Sequence, residues 1–168
     1  ASRPDRPGTF DDFMGGNSMR VWQVGKRGEP REVLKLVELP NPSPAAGGID
    51  LVEAAALNFL DILLCQGQYQ AKPPLPFTPG TEIAGTVEAV GEGIALMKER
   101  VSALPSLPRG GLAEWVVVPE DYVNPISESL DWNGAAAMFI TFAFYALHRC
   151  AKIQPGDVLL VHAPKIHG

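Results

Sequence analysis

The sequence predicts a mainly β fold with a few helices, built as a barrel or sandwich and followed by a helical segment. The 168 residues include 16 prolines and 17 glycines, which is typical of many short strands joined by turns. Apolar and polar residues alternate in short segments from Met19 to Pro125. After Ser129 the chain becomes rich in alanine and aromatic residues at helical spacing, which indicates a change of structure at that point.

The predicted strands of the first part are short and are bounded by proline, glycine or other turn residues. The clearest alternation lies in EVLKLVELP at 32–40, which ends in a proline-rich turn. One short helix is predicted at 61–67, where DILLCQG ends on a glycine suited to a helix C-terminus. In chain order, the predicted strands span 19–24, 32–40, 49–58, 82–91, 100–105, 111–119 and 122–126. Several short strands of this kind favour a barrel or a sandwich.

The two ends of the chain differ from this middle part. A helix or a broken pair of helices is predicted over 129–151, with Asp131 as a candidate N-cap. VLLVHA at 158–163 has the composition of a buried strand. Residues 1–18 lack apolar periodicity, so we expect them to form a disordered tail.

Charge and cysteine content exclude several classes of partner. The formal net charge is −5 and the basic residues are scattered, so no surface for nucleic acid or an anionic membrane is predicted. The longest apolar runs are too short to span a bilayer. Cys65 and Cys150 form neither a CxxC pair nor a cluster with histidine, which predicts no disulfide framework and no zinc site. Two reduced thiols favour a cytoplasmic protein.

Five segments carry a resemblance to a known family. They are ALNFLDILLCQGQY (56–69), PPLPFTPGTEIAGTVEAVGEG (73–93), RVSALP (100–105), GGLAEWVVVP (110–119) and FAFYALHRCAKIQPGDVLLVHA (142–163). In order and spacing they resemble the zinc-independent quinone oxidoreductases, the zeta-crystallin-like group of the medium-chain dehydrogenase/reductase superfamily. The block at 73–93 is the most specific, because a Pro-Gly turn leads into a glutamate-containing strand with glycine at fixed offsets.

The resemblance implies a GroES-like, partly open β-barrel, then a helical connection and only the first strand of a Rossmann domain. The corresponding domains are a tail at 1–18, the GroES-like substrate domain at 19–128, and the connection with the start of the Rossmann domain at 129–168. In the family, that strand leads into a glycine-rich turn that binds the pyrophosphate of NADPH. Here PKIHG (164–168) follows, so the cofactor-binding residues are unknown and we expect weak or no activity from this chain.

The resemblance also implies a substrate cleft. Asn58 matches the position at which zinc-dependent relatives carry a cysteine ligand, so it is assigned as the catalytic hydrogen-bond donor, with no metal. Asp61, Tyr69 and Thr141 are assigned to the substrate cleft. Each of the four has a structural alternative. Asn58 would close a strand end, Asp61 would cap the next helix, and Tyr69 would pack as an aromatic side chain. Thr141 lies one residue before the position of the family's threonine, which is about 100° around a helix. Glu82 is predicted to be a buried, paired carboxylate.

The function implied by the resemblance is NADPH-dependent hydride transfer to a quinone or an α,β-unsaturated carbonyl (an enone). A small-molecule substrate and a cytoplasmic location are expected, a homodimer is compatible with the resemblance, and neither nucleic acid nor a membrane is a predicted partner. One alternative is a non-catalytic GroES-like binding or dimerisation module, such as a truncated isoform. Another is a fragment of a zinc alcohol dehydrogenase, which Asn58 disfavours.

Overall fold

A computed structural model of the chain describes residues 18–42, 48–90, 96, 98–137 and 144–160. Its strands are β1 (Ser18–Val24), β2 (Leu34–Pro40), β3 (Gly48–Ala56), β4 (Glu82–Ala89), β5 (Arg100–Ala103), β6 (Trp115–Val118) and β7 (Val123–Pro125). Its helices are α1 (Pro30–Val33), α2 (Phe59–Gln66) and α3 (Trp132–Ala136), with a 3₁₀ turn at Glu120–Tyr122 and a π-helical turn at Tyr145–Cys150. None of the helices among the described residues is long and apolar enough to cross a membrane.

The strands form two antiparallel sheets rather than one closed barrel. β1 pairs with β2, and the other five strands lie in the order β6-β3-β4-β5-β7. Isolated bridges join β1 to later segments, from Val21 to Ala113 and from Val24 to Phe77. The mainly β fold with an open barrel is therefore confirmed. The apolar core beside β1 includes Val24 and Phe77, each no more than 1% exposed.

A helical turn that the alternation does not predict precedes β2. α1 has Pro30 at its start, where the fixed φ of proline suits the first helical position. The turn buries Val33, which packs in one cluster with Leu64. The strand predicted from residue 32 therefore begins at Leu34.

The strand predicted at 111–119 is shorter in the structure, where β6 covers only part of its second half. The residues just before β6 cross from one sheet to the other. The carbonyl of Leu112 accepts from the N–H of Trp22 in β1 at 2.8 Å. The carbonyl of Glu114 accepts from the N–H of Val52 in β3 at 3.0 Å. Residues 112–114 thus form hydrogen bonds to both sheets but are not part of a regular strand in either sheet.

The start of α3 confirms the predicted cap. The N–H of Gly134 donates to Oδ1 of Asp131 at 2.7 Å, which satisfies one of the free donors at the helix start. Ala135 and Ala136 pack with Ala84 of β4. The guanidinium of Arg100 further supports this helix, since it lies 4.0 Å from the ring centre of Trp132.

The chain divides by its internal contacts into the units Ala1–Met138 and Phe139–Gly168, and the domain boundaries given above stay predictions. The second unit contains the π-helical turn, in which the rings of Phe144 and His148 lie 4.4 Å apart. The strand predicted at 158–163 is not formed over its described part, because Val158–Leu160 pairs with no other described segment and is exposed. A strand needs a hydrogen-bonded neighbour, which a buried composition alone does not supply.

Candidate active site

The site is built where β3 ends and α2 begins. Asn58 is the N-cap of α2, with extended backbone angles of −114° and 159°. The N–H of Asp61, at the third helical position, donates to the carbonyl of Asn58 at 2.9 Å. The predicted short helix is therefore confirmed, but it begins two residues earlier than the sequence pattern suggests, and Gly67 ends it in the left-handed conformation with a φ of 73°.

Asp61 joins the start of this helix to a distant turn. Its side chain is buried, with a residue exposure of 5%. Oδ2 accepts from the backbone N–H of Asn58 at 2.9 Å, and Oδ1 accepts from the backbone N–H of Gly80 at 2.9 Å. Both carboxylate oxygens are thus used by main-chain donors, which fixes the position of Asn58 relative to the Pro79–Gly80 turn.

Asn58 and Glu82 form the polar centre of the site. Nδ2 of Asn58 donates to Oε2 of Glu82 at 2.9 Å. Glu82 is the first residue of β4, lies opposite Ala56 of β3, and is 5% exposed. The prediction that Glu82 is buried and paired is confirmed. Because an ionised carboxylate only accepts, this contact turns the nitrogen of the Asn58 amide toward Glu82. The amide has a second N–H and its carbonyl oxygen, and the residue is only partly buried.

The Pro79–Gly80 turn is also held in place by hydrogen bonds from Gly111 and Leu112. Gly80 has a φ of +95°, which favours glycine, and a Cβ there would lie 2.8 Å from the nitrogen of Leu112. The N–H of Gly111 donates to the carbonyl of Gly80 at 2.7 Å, and the N–H of Leu112 donates to the carbonyl of Pro79 at 3.0 Å. The Pro-Gly turn of the most specific sequence block is therefore a structural clamp on β4.

The far side of α2 is also anchored. The guanidinium of Arg27 donates to the carbonyls of Leu64 at 2.7 Å and Pro73 at 2.5 Å, and it lies 5.0 Å from the ring centre of Phe77. Cys65 is buried at the same end of the helix. Burial raises the pKa of its thiol above the ordinary value, and the nearby charge of Asp61 raises it further. This cysteine is therefore a core residue rather than a reactive one.

The chain on either side of Asn58 carries exposed apolar side chains. Leu57 and Phe59, its neighbours in the chain, are 72% and 71% exposed. Ile62 lies one turn after Phe59 on the same side of α2 and is 40% exposed. An amide with a free N–H beside exposed apolar side chains suits an apolar molecule that carries a carbonyl group.

The four residues predicted for the site have different outcomes. Asn58 and Asp61 lie together, with Asp61 in the helix-capping position that was its structural alternative. Tyr69 follows α2 and is partly exposed, with no described contact to Asn58. Thr141 lies outside the described residues. Sequence reasoning missed Gly80 as the partner of Asp61, although the Pro-Gly-Thr-Glu motif marked this turn.

The described residues offer neither a metal site nor a phosphate cradle. No three histidine, cysteine, aspartate or glutamate side chains cluster there in a way that could hold a metal ion. Gly110 and Gly111 are adjacent glycines, but they approach protein atoms rather than open space. A Cβ on Gly110 would lie 2.3 Å from the carbonyl oxygen of Pro79, and one on Gly111 would lie 2.0 Å from Cγ2 of Ile83. These glycines therefore do not form a cradle for phosphate.

Comparison with known proteins agrees with this architecture. Residues 51–128 match the alcohol dehydrogenase GroES-like domain. Quinone oxidoreductase-like protein 2 homolog of Nematostella vectensis is 41% identical over 115 residues, which is 67% of this chain and 32% of that protein. Quinone oxidoreductase of Rattus norvegicus is 34% identical over 154 residues, which is 88% of this chain and 46% of the relative. The chain thus spans less than half the length of these relatives.

Solved structures give the same result. The human synaptic vesicle membrane protein VAT-1 homolog-like protein has a TM-score of 0.77 and 29% identity, over 84% of this chain and 46% of that one. A mycobacterial protein complexed with NADPH has a TM-score of 0.71 and 31% identity, over 83% of this chain and 44% of that one.

The fold and the matched residues define a GroES-like domain of the alcohol dehydrogenase type. The chain belongs to the quinone oxidoreductase-like proteins of the medium-chain dehydrogenase/reductase superfamily. The resemblance to this family drawn from the five sequence segments is confirmed, and zinc independence stays a prediction.

Proposed function

We propose that the protein reduces a quinone or an α,β-unsaturated carbonyl with NADPH, and that residues 19–128 form the substrate side of its active site. Relatives named quinone oxidoreductase and a related structure complexed with NADPH support this proposal. When bound, NADPH supplies the hydride, and a proton from solvent completes the reduced product. The protein's part is to hold the carbonyl group and to stabilise the negative charge that develops on its oxygen.

The observation that carries the proposal is the contact between Asn58 and Glu82. The 2.9 Å hydrogen bond uses one N–H of the amide and sets the direction of the other. That second N–H is the donor that we assign to the substrate carbonyl oxygen. Asp61 keeps the backbone of Asn58 fixed while this happens, so the donor needs little rearrangement as charge develops.

The exposed apolar side chains around Asn58 would bind the ring of a quinone. Leu57, Phe59 and Ile62 lie within four residues of Asn58 in the chain and present carbon atoms to solvent. A bound apolar ring would remove this surface from water and would exclude water from the hydrogen bond, which strengthens it. Tyr69 at the end of α2 remains a candidate for the edge of the cleft.

The residues present do not support catalytic zinc. Asn58 has an amide where zinc-dependent relatives have a thiolate, and its nitrogen is held against Glu82. We therefore propose a zinc-independent reaction. Cys65 and Cys150 are both free thiols, which favours a reducing compartment such as the cytoplasm.

The described residues offer contacts for the substrate end of the reaction but no site for the cofactor phosphates. The sequence assigns no cofactor-binding residues, and 161–168 lie outside the described part of the chain. We therefore assign the proposed activity to the full-length protein and expect the 168-residue polypeptide by itself to be weak or inactive.

The test is a comparison of Asn58→Ala with the unchanged full-length protein, measured as NADPH oxidation with 1,4-benzoquinone or an enone. Loss of one donor to a developing oxyanion is expected to lower kcat by about 100-fold. Gln66→Ala is the matched control, because Gln66 lies at the other end of α2 and bonds to Glu29. Its rate should be unchanged.

Two results would count against the proposal. If Asn58→Ala kept its rate within twofold, Asn58 would not be the donor. If the full-length protein oxidised no NADPH with either substrate, the alternative of a non-catalytic GroES-like module would be favoured.

A further inference from the structure

A cavity separate from the candidate active site lies beside the two-stranded sheet. Its volume is about 410 Å³, within the range of about 300–1,000 Å³ for small-molecule sites. Its walls come from the start of β1, the end of β2 and the segment that leads through β6. Neither Asn58 nor Glu82 lines it, so the proposed reduction does not use this cavity.

Most of the wall is apolar. Met19 and Val21 contribute from β1, Leu39 from β2, and Trp115 and Val117 from β6. Val21 and Trp115 are 1% and 4% exposed, so this wall is set in the core rather than on the surface. A molecule in this cavity would therefore exchange water for carbon atoms over most of its surface.

The polar side chains of the lining are the neutral Asn41 and Thr78 and the positively charged Arg109. Arg109 is exposed, and its guanidinium has no hydrogen bond or ion pair within the part of the chain that the structure describes. By contrast, Arg20 pairs with Glu114 and Arg27 binds two carbonyls. No acidic residue is among those that line the cavity. The charge of Arg109 is therefore not balanced by the cavity lining.

Thr78 lies next to this charge. Thr78 and Arg109 form a backbone bridge, and the N–H of Gly110 donates to the carbonyl of Thr78 at 2.9 Å. These contacts fix the two residues side by side at the cavity. The hydroxyl of Thr78 makes no hydrogen bond to any other described residue, so it can donate to a ligand.

We propose that this cavity binds an apolar monocarboxylate, with its alkyl or aryl body on the Trp115 wall and its carboxylate on Arg109 and Thr78. The planar guanidinium can donate two parallel hydrogen bonds to a carboxylate. A nucleotide fits poorly, because its phosphates need several donors and the lining has one cation among apolar walls. The ligand class thus follows from a single positive group at the end of an apolar space.

The test is a calorimetric titration of octanoate into the full-length protein without NADPH. Saturable binding at one site is expected, and Arg109→Gln should weaken it at least tenfold. Arg31→Gln is the matched control, because Arg31 is exposed, makes the same charge change and does not line the cavity. Its affinity should match that of the unchanged protein.

A second variant separates the cavity from the surface charge. Ala113→Phe fills the cavity and should abolish octanoate binding, with circular dichroism confirming the fold. Absence of saturable binding, or equal binding by Arg109→Gln, would overturn the proposal. Binding that Arg109→Gln abolishes but Ala113→Phe leaves intact would also overturn it, since the anion would then sit on the surface. None of these outcomes depends on the reductase activity.

Discussion

Replacement of Asp61 by alanine tests the role of the carboxylate that links α2 to the Gly80 turn. The substitution removes the acceptor from two backbone N–H groups, those of Asn58 and Gly80. Gly80 is buried, so its N–H has no access to water, whereas Asn58 is only partly buried. A buried donor without a partner costs about 1–3 kcal/mol, and a lost capping contact costs about 1 kcal/mol. We expect the free energy of unfolding to fall by about 2–4 kcal/mol.

The measurement is urea unfolding monitored by tryptophan fluorescence. The m value should be the same for each protein, which checks two-state behaviour. The stability of Asp61→Asn should lie between those of the unchanged protein and Asp61→Ala. The amide keeps the volume of the side chain and one acceptor, but it turns a donor toward a backbone N–H. Asp121→Asn is the control, since Asp121 lies exposed in the 3₁₀ turn, and a change of less than about 0.5 kcal/mol is expected there. A loss below about 0.5 kcal/mol for Asp61→Ala would mean that its carboxylate does not stabilise the fold through these two N–H groups.

Three further predictions concern packing and a buried thiol. Gly80→Ala should lower the midpoint of thermal unfolding, because Gly80 has a φ of +95° and a Cβ there would lie 2.8 Å from the nitrogen of Leu112. Gly25→Ala is the control and should leave the midpoint unchanged, because a Cβ there meets nothing within 4 Å. Equal midpoints for the two variants would contradict this prediction. A thiol reagent at pH 8 should modify exposed Cys150 quickly and buried Cys65 only on unfolding. Burial raises the pKa of the Cys65 thiol above its ordinary value, so the folded protein keeps this proton to higher pH than the unfolded chain does. The stability that this thiol contributes should therefore be present at neutral pH and be lost as the pH rises through the range in which thiols ionise. The loss should be smaller in Cys65→Ala, and an identical pH profile for both proteins would argue against it.

Local patterns were enough to predict much of the fold. Alternation predicted β1 and most of β2, and the spacing of Asp131 and Gly134 predicted the cap of α3, because these features depend on residues close in sequence. Glu82 was predicted to be buried and paired, since a charged residue in an apolar strand requires a partner.

Contacts between distant residues explain the differences. The clamp from Asp61 to Gly80 spans 19 residues, and nothing in either segment names the other as partner. β6 is shortened because 112–114 bonds to both sheets, which alternation within one strand does not predict. Val158–Leu160 has the composition of a strand, but composition does not provide a neighbouring strand.

The most direct test of the central claim is isotope transfer in the full-length protein. NADPH with deuterium at the transferable position of its nicotinamide ring is incubated with the protein and an enone, and the product is analysed by mass spectrometry. We expect one deuterium in the reduced product from one of the two stereoisomers of labelled NADPH, and a large loss of labelled product in Asn58→Ala. No reduced product, or reduced product without deuterium from either stereoisomer, would contradict hydride transfer at this site.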